Sequence, residues 1–173
     1  MTRPYRRTIA LAAFSMLATL SGCTEKKQIH QIGEKVQLGG VVYSVLDTEW
    51  LTGLDSGGPG ARTPAHRFLV VHLSMTNGGS KEATLPLLHI VGPDGAEHLE
   101  LADGKGLPNW LGILRTLNPT ETKDGRIVFD VPVGAYSIRL TDGSEQELEK
   151  TAMVVLPASP KQAMDSPILN DTK

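Results

Sequence analysis

Few side chains in this 173-residue chain could do chemistry on their own. Five histidines, His30, His66, His72, His89 and His98, are the possible metal ligands and bases, and Cys23 is the only thiol. His66 and His72 are six residues apart, so on one strand they would share a face yet stand about 20 Å from each other. They cannot hold one ion together. His89 and His98 flank Gly92-Pro93-Asp94-Gly95. A turn closed between the two glycines sets them opposite each other, whereas a bulge at Gly95 moves each to a diagonal on the opposite face. The Pro-Asp pair before Gly95 favours the bulge. His72 and Met75, at odd spacing on a strand, face opposite ways and make a poor copper pair. There is no Gly-x-Ser-x-Gly elbow to raise a serine nucleophile. The acids Asp94 and Glu97, and Glu145, Glu147 and Glu149, read as loop-solvating groups. Trp50 and Trp110 read as core plugs rather than ligand-stacking platforms. The expectation is therefore a non-enzyme with no cofactor, no metal site and no catalytic residue. The alternatives are periplasmic metal binding through surface histidines, or an enzyme of unrecognised type.

Cys23 needs a separate account because of what precedes it. Arg3, Arg6 and Arg7 form a positive leader, and the apolar run from Ile9 to Ala18 is short for a mature membrane span. The run leads into Leu20-Ser21-Gly22-Cys23, where small residues give a peptidase access to the bond before the cysteine. This resembles the bacterial lipoprotein box. The resemblance implies removal of residues 1–22 as a signal peptide, a diacylglycerol on Cys23 Sγ and further acylation (palmitate-type) of the new amino group. One acyl chain holds a bilayer marginally; two or three hold it firmly. Thr24 follows where an Asp would signal inner-membrane retention, so the expected place is the bacterial cell envelope, on the outer membrane facing the periplasm if the source is Gram-negative. Residues 23–32 then form a lipidated cysteine and a polar tether of about 30 Å at most.

Charge excludes one class of partner. Taking the three leader arginines from the formal −2 leaves −5 on the remainder, the wrong sign for displacing phosphate counterions. No nucleic acid is expected. A single cysteine allows no internal disulfide, so the fold must hold by apolar burial.

The elements that would position these groups are short strands. Val41, Tyr43 and Val45 alternate within the run Val41–Trp50. Leu69, Val71, Leu73 and Met75 form the core face of His66–Asn77, with Phe68, Val70, His72 and Ser74 on the other. Asn118-Pro119 and Asp124-Gly125 are turn signals. Arg126–Val131 follows, with Ile127, Phe129 and Val131 inward, and then Tyr136, Ile138 and Leu140. Trp110–Leu117 is read as a strand and Thr151–Leu156 as the last one. Glycine-rich Thr52–Pro64 reads as a mobile loop that buries little. About seven to eight strands without a convincing helix predict an all-β fold, an antiparallel β-sandwich over residues 33–156, with a small barrel as the alternative. Residues 157–173, with three prolines, are expected as a disordered tail.

Several of these pieces together, Val36–Val45, Phe68–Asn77, Gly92-Pro93-Asp94-Gly95 and Leu117-Asn118-Pro119 leading into Ile127–Pro132, resemble a family of uncharacterised bacterial lipoproteins and secreted proteins. The family has an immunoglobulin-like sandwich and a domain of unknown function. The resemblance covers residues 33–142 and implies the immunoglobulin-like fold; it carries no catalytic residues. Thr120 stands where that family usually has glycine, so the turn chemistry there is expected to differ. The resulting expectation is a lipid-anchored binding or interaction module, attached to the membrane through Cys23, whose protein, peptide or glycan partner meets its loops, above all Thr52–Pro64.

Overall fold

A computed structural model describes residues 29–55, 61–145 and 147–158. Cys23, the leader, most of the tether and nearly all of the C-terminal tail lie outside them. Eleven strands follow one another: β1 Ile29–Gln31, β2 Lys35–Leu38, β3 Val41–Leu51, β4 Arg67–Asn77, β5 Ala83–Leu85, β6 His89–Val91, β7 Glu97–Leu99, β8 Arg115–Leu117, β9 Thr122–Val131, β10 Tyr136–Thr141 and β11 Thr151–Leu156. They form a five-stranded sheet in the order β1-β11-β10-β6-β7, a four-stranded sheet β2-β3-β4-β9 and a small β5-β8 pair. All pairings are antiparallel except β1 with β11. The chain crosses between sheets in the Greek-key manner of immunoglobulin-like domains. A hallmark of that fold is present too: Tyr136, at the start of β10, donates its hydroxyl to the Pro132 carbonyl at 2.9 Å.

The count of eleven exceeds the seven to eight expected. The surplus comes from three-residue strands, too short to display a two-residue alternation. Thus Ile29–Gln31, expected within the tether, pairs with Met153–Val155. Only the last three residues of Trp110–Leu117 are strand.

Apolar alternation builds the core as expected. Val41, Tyr43 and Val45, then Leu69, Val71, Leu73 and Met75, then Ile127, Phe129 and Val131 meet Ile138, Leu140, Ala152 and Val154 from the opposite sheet. Tyr43 joins the sheets by donating its hydroxyl to the Thr141 carbonyl at 2.6 Å. Burial pushes its hydroxyl pKa well up, partly offset by the nearby Arg115 charge. In β3 the register shifts between Val45 and Asp47, the mark of a β-bulge, so parity inverts and even-numbered Trp50 enters the core.

Two turn readings come out differently. Asp124-Gly125 is not a turn: β9 runs through it, with Asp124 opposite Ser74 and Gly125 opposite Leu73. Glycine is needed there because residues 109–111 run close along the free edge of the strand, bridging to Arg126; a Cβ on Gly125 would collide with the Asn109 carbonyl and lie 2.9 Å from the Leu111 side chain. At Thr120 the backbone adopts φ 67°, so threonine occupies the left-handed conformation that the usual glycine would. Asn77, which is buried, holds this corner: its carbonyl accepts the Thr120 amide at 2.7 Å, and its side-chain amide donates to the Leu117 carbonyl at 2.9 Å and the Lys81 carbonyl at 2.7 Å.

One buried ion pair went unforeseen. Arg115 and Glu100, both fully buried, make a two-pronged contact at 2.6 and 2.5 Å. Glu100 also accepts the Leu88 amide at 2.6 Å, and Arg115 Nε donates to the Gly112 carbonyl at 3.0 Å. Such a pair is costly to break from one side because the other charge stays buried.

Candidate functional site

The outer face of the four-stranded sheet is where polar side chains gather in register. Residues opposite one another across strands share a face, so pairing gives the rows directly. One row is Gln37, Val42, Thr76 and Thr122; the next is Lys35, Ser44, Ser74 and Asp124. Beyond the β3 bulge come Asp47, His72 and Arg126. Further along stand Glu49, Val70 and Val128, then Leu51, Phe68 and Asp130. The first rows are open and polar; in the last two Phe68, Val70 and Val128 are roofed, while Glu49 at the β3 side stays exposed.

The roof comes from distant loops. Leu54 and Leu107 pack on Phe68, Val70 and Val128 to make a second apolar cluster, with Leu51, Leu101 and Trp110 at its margin. This corrects the reading of Thr52–Pro64 as a loop that buries little. Its described parts are fastened: Leu54 pairs with Arg62 across the loop, and Arg62 donates to the Asp103 carbonyl at 2.6 Å while its guanidinium lies 5.5 Å from the Phe68 ring centre. Residues 56–60 lie outside the described residues. Asp130 accepts the Ala65 and His66 amides at 2.7 and 2.8 Å and so fixes the entry to β4. Trp110 packs flat on Gly104, where a Cβ would enter the indole ring.

The open half holds a concavity of about 600 Å³ lined by Lys35, Gln37, Val42, Tyr43, Ser44, Ser74 and Thr76. Its floor is made of short side chains at mid-strand, flanked by longer ones on the edge strand β2. Thr76 and Thr122 hydroxyls meet at 2.8 Å. Lys35, Ser44 and Ser74 have no polar partner among the described residues. At the border with the roofed half, His72 sits between two carboxylates, Nδ1 at 3.2 Å from Asp47 and Nε2 at 2.9 Å from Asp124. A ring that donates at both nitrogens is the imidazolium. The hydrogen bond to Asp124, followed by that to Asp47, raises the His72 pKa against a smaller opposing effect of burial. His72 thus ties β3 and β9 across β4.

The remaining residues singled out by sequence do not come together. Met75 points into the core, away from His72. His89 pairs with Leu99 and His98 with Ile90, so the two histidines lie diagonally on opposite faces, and Gly95 has φ 82° as the bulge requires. His98 meets the Tyr136 ring edge-on at 6.0 Å, and Trp50 packs 6.3 Å from the same ring. Among the described residues, no group of three or more His, Cys, Asp or Glu side chains is placed to hold a metal ion. His72 was noticed in the sequence but its two partners were not, because Asp124 read as a turn residue and the bulge that aligns Asp47 leaves no local signal. Arg115 and Glu100, fifteen residues apart, gave no sign either.

Fold and face together define a class: an immunoglobulin-like β-sandwich with one open, polar, shallowly concave sheet face. The chain belongs to the family described as "Domain of unknown function (DUF4352)", whose profile matches residues 30–152. No curated protein gives a significant match. Among solved structures the chain is similar in fold to the yjhA protein of Bacillus subtilis, at 15% identity over 74% of this chain and 99% of that one, with a TM-score of 0.56. A functionally unknown protein of Listeria monocytogenes EGD-e aligns at 10% identity over 73% of this chain and 82% of that one, with a TM-score of 0.52. The ycdA protein of Bacillus subtilis, described as a candidate lipoprotein, aligns at 14% identity over 70% of this chain but 38% of its own, with a TM-score of 0.50.

Proposed function

We propose that this protein is a non-catalytic binding module held at the bacterial cell envelope by lipid on Cys23, and that its open sheet face meets the ligand. The observation that carries the binding reading is the concavity of about 600 Å³, in which Lys35, Ser44 and Ser74 have no side-chain hydrogen-bond partner among the described residues. The leader and the Leu20-Ser21-Gly22-Cys23 motif support the anchor, and Thr24 supports an outer-membrane position in a Gram-negative cell. With this arrangement the ligand surface moves from the Thr52–Pro64 loop, whose described residues serve as roof, to the neighbouring polar rows.

Two measurements test the two halves separately. Cys23→Ala is expected to abolish incorporation of labelled fatty acid and to release the protein from the membrane fraction; retention on the membrane after that change refutes the anchor. A photo-cross-linker replacing Gln37 in cells is expected to capture an envelope component that one replacing Glu49 does not. Equal capture from both positions, or none from Gln37, removes the face as the binding surface.

A further inference from the structure

Resting on the reading that Cys23 carries lipid, we infer that the outer face of the five-stranded sheet lies against the bilayer surface. The open face of the other sheet then points away from the membrane. The first argument is length. β1 begins at Ile29, six steps after Cys23, so the connecting chain reaches at most about 20 Å even when fully extended. The anchor therefore holds β1, the edge strand of the five-stranded sheet, close to the lipid.

The second argument is what that sheet displays. In β10 and β11 the even-numbered Ile138, Leu140, Ala152 and Val154 fill the core, so the odd-numbered residues point outward. Pairing sets Ile29, Met153, Arg139, His89 and Leu99 in one outward row. The next row holds Val155 and Val91 on either side of Ser137. Ile29 is 68% exposed, although edge strands are normally guarded by charge or proline. At the end of the face, Glu149 accepts the Thr141 hydroxyl and pins the β10–β11 loop beside it, with Leu148 of that loop 73% exposed. Among the described residues eight large apolar side chains stand exposed. Four of them, Ile29, Leu99, Leu148 and Val155, fall on or beside this one face, and such grouping marks an interaction surface.

Charge selects the kind of lipid. The strands of the face carry one cation and one anion, Arg139 and Glu97, joined at 3.1 Å. The adjoining loop adds Glu145, Glu147 and Glu149. A patch without net charge and with acids at its margin suits zwitterionic phospholipid and is repelled by a strongly anionic surface. Stacked sheets lie about 10 Å apart, so with this sheet on the lipid Lys35, Ser44 and Ser74 face outward on the far side.

The test uses the lipidated chain in phosphatidylcholine nanodiscs containing a lipid with a nitroxide-labelled headgroup, and follows relaxation of backbone amides by NMR. Intact mass in the same sample reports the lipid on Cys23. The expected result is strong broadening at residues 29–31, 137–139 and 153–155 and little at 42–44 and 74–76. Ile29→Glu combined with Leu148→Glu, both at largely exposed positions, is expected to erase that contrast while the chain stays bound and its thermal midpoint is unchanged. Even broadening of both faces, stronger broadening at 42–44, or a contrast that survives the double variant overturns the inference and leaves the anchor standing. A mass without lipid on Cys23 overturns the anchor and the inference with it. A Cys23→Ala chain that dimerises in solution, by sedimentation, and loses the dimer with the double variant assigns the face to a second copy and overturns the membrane placement.

Discussion

The outer face of the four-stranded sheet divides into two halves that share the same three strands and behave differently. In the half near Phe68, Val70 and Val128, loops from residues 52–55, 61–62 and 101–111 cover the strands and make a second small core. In the other half, Lys35, Gln37, Ser44, Ser74 and Thr76 stand uncovered around a shallow depression. His72 and its two carboxylates mark the border, next to the bulge in β3. The difference shows that a sandwich's solvent side is not uniform. Where long loops return over a face, its residues are apolar and contribute to stability; where they do not, side-chain chemistry remains free for a ligand.

Four substitutions would break or sharpen that contrast. Phe68→Ala removes the largest side chain under the roof and is expected to lower unfolding free energy by about 3–5 kcal/mol, measured by urea denaturation; a change as small as that of an exposed residue would show that the roof is not packed. Gly125→Ala forces a methyl group into the 109–111 loop and is expected to cost about 1–3 kcal/mol. Faster hydrogen exchange at the Arg126 and Leu111 amides would identify the loop as what yields.

At the border the effect is smaller and depends on pH. The His72 pKa lies above its unfolded value, near 6.5, because of Asp124 and then Asp47. The stabilisation is therefore fully present below about pH 6.5 and is lost as pH rises through the raised folded value. The groups are partly solvated, so the contribution is about 1 kcal/mol or less. His72→Gln should remove this pH dependence, seen as parallel thermal midpoints between pH 5 and 9; an unchanged slope would mean the imidazolium bridge contributes nothing. In the open half, Ser74→Ala should alter stability by less than about 0.5 kcal/mol by urea denaturation, a null result on folding that contrasts with the cost of Phe68→Ala under the roof.

How much of this was legible follows from the range of each interaction. The alternations Val41-Tyr43-Val45, Leu69 to Met75 and Ile127-Phe129-Val131 name inward residues because sheet geometry imposes a period of two on adjacent positions. The Pro93-Asp94-Gly95 turn and its bulge are equally local. The same reasoning misjudged Asp124-Gly125, where glycine serves a close approach by a loop more than a dozen residues earlier, and it left Phe68 and Val70 on a nominally solvent face. It also gave no hint that Arg115 and Glu100 find each other, since a buried ion pair leaves no periodic trace.

By itself, then, the sequence determined the longer sheet-forming segments, their core faces and the hairpin, all of which depend on neighbours within a few positions. Only the tertiary structure decided which part of the second sheet face is roofed and which is open. A strand's outward residues carry the same local pattern either way; whether they meet water depends on loops from elsewhere in the chain, and that is settled only when the sandwich is assembled.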